Sequence, residues 1–194
     1  MRSDGGPAAS HTARLLAALA PDVRGLFART KALVVDCDGV LTDGRIACDT
    51  VGGESLTFHV RDSAGLWQAK KAGIRIALVT GRSPGIAESR PTLFPFDEIR
   101  TNALDKAGAL RSVLSVFGVE AADAAYVGDD LLDIAALRIA GLPVAVGDCD
   151  PDLVPFAQFV TRRHGGCGAV REVTDLILEA QGRRAAILAP PTAP

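Results

Sequence analysis

Lysine is scarce in this chain. Of its 21 basic residues only Lys31, Lys70, Lys71 and Lys106 are lysines, so each lysine position is worth weighing. Positive charge is not in excess either: the formal net charge is −2, which argues against nucleic acid or an anionic membrane as the main partner. The four cysteines (Cys37, Cys48, Cys149, Cys167) form no CxxC pair and no ligand-spaced cluster. Small buried thiols in a reducing compartment are therefore expected ahead of zinc or disulfides. No apolar run reaches membrane-spanning length, and residues 1–10 lack the apolar segment of a signal peptide, so a cytoplasmic protein is expected. Internal repeats are absent.

What is present suits one globular domain of ordinary size, with 194 residues, 48% of them hydrophobic and 23% charged. The expected domain covers residues 11–182, between a flexible N-terminus (1–10) and a flexible tail (183–194) that ends in prolines unable to continue a helix. Apolar runs near 32–36, 74–79, 97–99, 123–127, 142–146 and 158–161 read as strands. Helical patterns fit 11–19, 63–72, 84–90, 104–117, 130–140 and 168–181. This alternation predicts an α/β fold, a doubly wound, Rossmann-like parallel sheet with helices on both faces. Residues 45–60 break the rhythm and read as a β-hairpin flap around Gly52-Gly53, beside the mouth of any crevice at the strand ends.

Four features fall at those strand ends. Leu33-Val-Val runs into Asp36-Cys37-Asp38; alternate residues of an extended segment point the same way, so both acids share a crevice. Thr80-Gly81-Arg82 closes the second strand, Lys106 begins the helix after the third, and Gly128-Asp129-Asp130-Leu131-Leu132-Asp133 closes the fourth. Such a set suits phosphoryl transfer. A phosphate dianion repels a carboxylate nucleophile unless a divalent cation sits between them. Asp36, Asp129 and the backbone carbonyl of Asp38 can supply oxygens to Mg2+, which keeps several waters. Asp36 is the expected nucleophile and Asp38 the acid and base. Thr80 and neighbouring N–H groups, Gly81 among them, would bind phosphoryl oxygens, while Lys106 offsets developing negative charge.

The four motifs, in this order, resemble the phosphatase branch of the haloacid dehalogenase superfamily over about residues 30–180. The intervals from Thr80 to Lys106 and from Lys106 to Asp129 leave no room for a cap domain, which points to the capless subclass. His164-Gly-Gly-Cys-Gly-Ala-Val-Arg-Glu172, taken with Asp36–Gly44, is similar to the phosphatases of 3-deoxy-D-manno-octulosonate 8-phosphate and related ulosonic acid phosphates. That resemblance implies a magnesium-dependent homotetramer whose hairpins meet centrally, with the Gly-Gly segment reaching a neighbour's site. It also implies a substrate contact for Arg82, and places Arg61 and His164 near the mouth. The chain departs from the family at Asp62-Ser-Ala-Gly65, where Asp-Gly-x-Gly is usual, and at Cys37 and Cys167.

Plainer readings stand beside these. Asp130 and Asp133 fit a helix N-terminus, and Gly165-Gly166 fits a flexible turn. His59 alternates with Phe58 and Val60 as on a strand. Phe58 and Trp67 suit the core or a subunit contact. Cys37 lies open to the site by position but should be inert beside two acids. A receiver-like phosphoacceptor or an inactive oligomerisation module would share the fold. A sialic-acid-type 9-phosphate, or another sugar phosphate, is the alternative substrate.

Overall fold

Four consecutive apolar residues form the first strand, β1 (Ala32–Val35), and all are fully buried, as a strand covered on both faces requires. The computed structural model describes residues 9–82 and 93–188. Two helices, α1 (His11–Ala18) and α2 (Pro21–Arg29), precede β1; then follow β2 (Ala47–Cys48), β3 (Glu54–Ser55), α3 (Val60–Lys71), β4 (Arg75–Val79) and β5 (Glu98–Arg100). The second half runs α4 (Lys106–Phe117), β6 (Ala124–Gly128), α5 (Ile134–Leu137), β7 (Leu142–Ala145), β8 (Phe159–Val160), α6 (Ala169–Ala180) and α7 (Arg184–Leu188).

Six strands make one sheet in the order β5-β4-β1-β6-β7-β8, all neighbours parallel. Alternation along the strands divides the core in two. Leu33, Val35, Ile76, Leu78 and Val127 face α2, α3 and α6 through Phe27, Leu66, Val173 and Ile177. Ala32, Val34, Ala77, Val79 and Tyr126 face α4 and α5 through Leu110, Val113 and Leu137. The doubly wound sheet is thus as expected, and no further domain is inserted among the described residues.

Several elements differ from the sequence expectation. Helix α2 was not expected; Gly25 interrupts its apolar pattern and Phe27 is its only buried residue. The hairpin is shorter than 45–60: two-residue strands flank a turn in which the Asp49 carboxylate accepts from the N–H of Val51 (2.9 Å) and Gly53 (2.7 Å). His59 and Val60 are not on a strand, because the His59 ring nitrogen accepts from the Arg61 N–H (3.1 Å) and starts α3. The helix expected over 130–140 is a 3-10 turn (Leu131–Asp133) followed by the four-residue α5. There the Asp133 side chain folds back onto backbone N–H groups. Helix α7 lies in the expected loose tail, its Arg184 paired with Asp175 and Glu179. The expected helix at 84–90 lies outside the described residues. Phe58 packs edge-on against Phe94, whereas Trp67 is exposed.

Helices α3 and α6 are joined by a fully buried acid. Asp62 accepts from the N–H groups of Gly168 (3.1 Å) and Arg171 (2.7 Å), capping α6 from across the interface. A Cβ at Gly65 would stand 2.4 Å from the Thr174 hydroxyl, so glycine allows this approach. At the departure from the family pattern, the Ser63 hydroxyl donates to the Leu93 carbonyl.

Candidate active site

Register carries the four motifs to one edge of the sheet. Val35 pairs with Leu78 on β4 and with Val127 on β6. The next residues, Asp36, Val79 and Gly128, therefore stand abreast, followed by Cys37, Thr80 and Asp129. The Asp36 N–H donates to the Val127 carbonyl (3.0 Å). The chain then turns sharply, with the N–H groups of Val40, Leu41 and Thr42 all directed at the Cys37 carbonyl (3.3, 2.9 and 3.1 Å).

Lys106 enters from the start of α4 and is almost fully buried. Its ammonium has three donors and three acceptors: Asp36 Oδ1 at 2.7 Å, the Val79 carbonyl at 3.0 Å and Asp133 Oδ1 at 3.5 Å. The Cys37 N–H also donates to Asp36 Oδ1 (2.7 Å). One oxygen of Asp36 is thereby fixed from two sides.

Asp133 is the acid that the sequence undervalued. It is completely buried and both of its oxygens are engaged. Oδ1 accepts from the Tyr126 hydroxyl (2.7 Å) as well as Lys106, and Oδ2 from the N–H groups of Asp129 (3.0 Å) and Asp130 (3.3 Å). Asp130 itself sits at the turn start and accepts from the Leu131 N–H. Asp133 therefore acts as a brace that aims Lys106 and Asp129. The sequence signal was its place at the end of the acidic motif with a tyrosine two residues before Gly128.

Asp36, Asp129 and Asp133 bring carboxylate oxygens within 4.8 Å of one another. Burial pushes the Asp129 carboxyl up to about 8, with Asp133, Asp36 and Asp130 adding like-charge repulsion. Asp36 is pushed up to about 6, again by burial first, and Lys106 holds it from rising further. Acids crowded in this way suit a divalent cation, which would relieve both costs. Since the oxygens of Asp133 are taken, Asp36 and Asp129 are the carboxylates left to offer. Gly39 matters here: its φ is +76°, and a Cβ would lie 1.9 Å from Asp129 Oδ2, in the space that carboxylate occupies.

Asp38 is held differently. Its Oδ2 pairs with Arg82 Nε at 3.0 Å, while Oδ1 is buried without a hydrogen-bond partner. Arg82 also reaches Glu54 on the hairpin (2.9 Å), a tie that no motif spacing signalled. Thr80 is buried, and its hydroxyl accepts from the Arg82 N–H (3.2 Å). Gly81 has ordinary space around it, with Leu104 3.7 Å from a would-be Cβ.

Cys37 is buried rather than open to the site, since alternation turns it away from its two acidic neighbours. Burial and the charges of Asp38 and Asp36 push its thiol up to about 12, which disfavours the thiolate. Gly165-Gly166 is no loose turn. The Gly166 N–H donates to the Val40 carbonyl (3.0 Å), and a Cβ on Gly165 would fall 1.7 Å from the Gly39 carbonyl oxygen. This segment packs on the acidic loop of its own chain. His164 is mostly exposed, 3.8 Å from Asp148 at the same rim. Arg61 is not brought to the carboxylates: it lines a separate cavity on the side of α6.

The family profile of the haloacid dehalogenase-like hydrolases matches residues 91–172. A 3-deoxy-D-manno-octulosonate 8-phosphate phosphatase of Escherichia coli K12 is 40% identical over 162 residues, 84% of this chain and 86% of that protein. The crystal structure of the Moraxella catarrhalis phosphatase of the same name, in complex with magnesium, phosphate and a KDO molecule, superposes with a TM-score of 0.82. It is 35% identical, over 86% of this chain and 96% of that one. A cobalt-bound form from Haemophilus influenzae gives a TM-score of 0.81 at 34% identity, covering 84% and 96% of the two chains.

Proposed function

The chain belongs to the 3-deoxy-D-manno-octulosonate 8-phosphate phosphatases of the haloacid dehalogenase-like hydrolases, and from this premise we propose how its residues release phosphate from that substrate. The carrying observation is the 2.7 Å pair between Lys106 and Asp36 beside Asp129. It gives a nucleophile, a counter-charge and a cation ligand in one crevice.

Asp36 attacks phosphorus through the oxygen that Lys106 does not hold, forming an aspartyl-phosphate. Asp38 donates its proton to the departing sugar oxygen, then takes one from the water that attacks the intermediate. An acid with one buried oxygen left without a partner suits that exchange. Lys106 neutralises charge gathering on the transferring group, and the Thr80 hydroxyl and Gly81 N–H hold its oxygens. Bound Mg2+, held by Asp36, Asp129 and the Asp38 carbonyl, screens the phosphate from the carboxylates. Arg82 is the residue for the sugar acid's own anionic or hydroxyl groups, with His164 at the rim.

We also assign the chain to a cytoplasmic homotetramer. The cysteines of the described chain are unpaired, and none of its described helices is long and apolar enough to cross a membrane. Ile46, Val51, Val60 and Trp67 present apolar surface on the hairpin and α3, which supports assembly through that side. Light scattering on the purified protein tests the tetramer.

Phosphate release from a panel of sugar phosphates, with Mg2+ and with chelator, tests the activity. The octulosonate 8-phosphate should be the best substrate and chelation should abolish turnover. Asp36→Asn should fold normally and lose at least about 10³-fold in kcat. Retained turnover in that variant removes Asp36 from the reaction.

A further inference from the structure

A second cavity, of about 510 Å³, lies between α1, the start of α3, the 161–168 loop and α6. No residue assigned above to catalysis lines it. Four guanidinium groups do, those of Arg61, Arg162, Arg163 and Arg171, against the two carboxylates Glu172 and Asp175.

Four guanidiniums against two carboxylates leave the lining net positive, with the buried Asp62 carboxylate also within the field of Arg163. Both oxygens of Glu172 are committed to backbone, accepting from the N–H of Arg162 (3.2 Å each) and the second also from that of Arg163 (3.2 Å). Asp175 pairs with Arg171 at 2.9 Å and with Arg184. Arg61, Arg162 and Arg163 have no carboxylate partner among the described residues. The N-terminus of α6 is already capped by Asp62, so side chains and not a helix end define the cavity. Gly168 adds to it: the Arg163 side chain lies where a Cβ would come, with its Cδ at 3.1 Å.

Three exposed guanidiniums from two separate elements, none in a salt bridge among the described residues, line one cavity in a chain whose net charge is −2. Their planar forks match the oxygens of a phosphate group, and the volume falls within the usual range for small-molecule sites. We propose that this cavity binds a small phosphate-bearing anion, apart from the catalytic crevice and without magnesium. The ligand class is orthophosphate or a small organic phosphate; one chemistry serves both.

The test exploits magnesium. In chelator the crevice lacks the cation through which it would hold phosphate, whereas the arginine cavity needs none. Calorimetric titration of the full chain in chelator, with orthophosphate, pyrophosphate and fructose 1,6-bisphosphate, should show one saturable site per chain. Arg162→Ala combined with Arg163→Ala should weaken it at least about tenfold, and Arg61→Gln, on a different element, should weaken it too. Circular dichroism confirms that the variants fold. Tightest binding of orthophosphate assigns the reaction's own product; tightest binding of the bisphosphate assigns a separate effector. The proposal is overturned if no magnesium-independent binding appears, if both arginine variants bind as well as the parent, or if Lys106→Ala alone removes the binding.

Discussion

The floor of the crevice and its mouth are built on different principles. At the floor, Lys106, Asp133 and Tyr126 are buried and their polar atoms are matched by partners on β1, β4 and β6. At the mouth, the hairpin has two-residue exposed strands and is tied inward, among the described residues, by one ion pair, Glu54 with Arg82, which in turn holds Asp38. A satisfied buried network fixes geometry because each member is costly to leave alone. An exposed pair contributes little to stability and is free to exchange partners. The floor of the crevice is thus held by a satisfied buried network, while its mouth rests on partly exposed ion pairs.

The sharpest break of this contrast is Asp133→Ala. It should cost about 3–5 kcal/mol of stability, because Lys106 and Tyr126 lose a buried partner, and should also lower kcat. Denaturant unfolding and turnover measure the two, and a variant as stable as the parent would contradict the bracing role.

Next comes pH. Asp36 and Asp129 ionise near 3.8 in the unfolded chain but near about 6 and about 8 in the fold without a cation. A raised folded value means the stabilisation is complete below about pH 4 and is lost as pH rises through those two values. Without Mg2+, the melting temperature should therefore fall between about pH 4 and about pH 8. Mg2+ should restore it most at the upper end, where the acids bind metal without first losing protons. A flat profile in chelator would refute the crowding of the acids.

The smallest effect belongs to the mouth. Glu54→Gln should leave stability within about 1 kcal/mol and change kcat/KM by less than about fivefold, by freeing Arg82. A collapse of turnover there would show that the hairpin pair belongs to the rigid part.

Much of this was legible in the sequence because local pattern and long-range register agree. Three motifs end apolar runs and Lys106 opens the helix after another, and parallel pairing puts all such strand ends on one edge, so Asp36, Thr80, Lys106 and Asp129 could be brought together without coordinates. What escaped depends on side chains reaching across the fold. Nothing near Glu54 announces Arg82, and nothing near Asp62 announces the N-terminus of α6. Asp133 reads as an ordinary helix-start acid until Lys106 is seen against it. Arg61 misled for the same reason: its neighbours in sequence flank the mouth, but α3 carries it towards α6. Helix α2 went unread because one buried phenylalanine is too weak a periodicity.

The contact of Gly165 and Gly166 with the loop after Asp38 bears on when the protein becomes active. These two stretches lie near opposite ends of the chain, and the loop's backbone has its covering surface only when the late glycines arrive. Chains cut short before residue 165 should therefore be inactive although they would carry Asp36, Asp38, Thr80, Lys106 and Asp129, because the backbone that follows Asp38 would lack this cover.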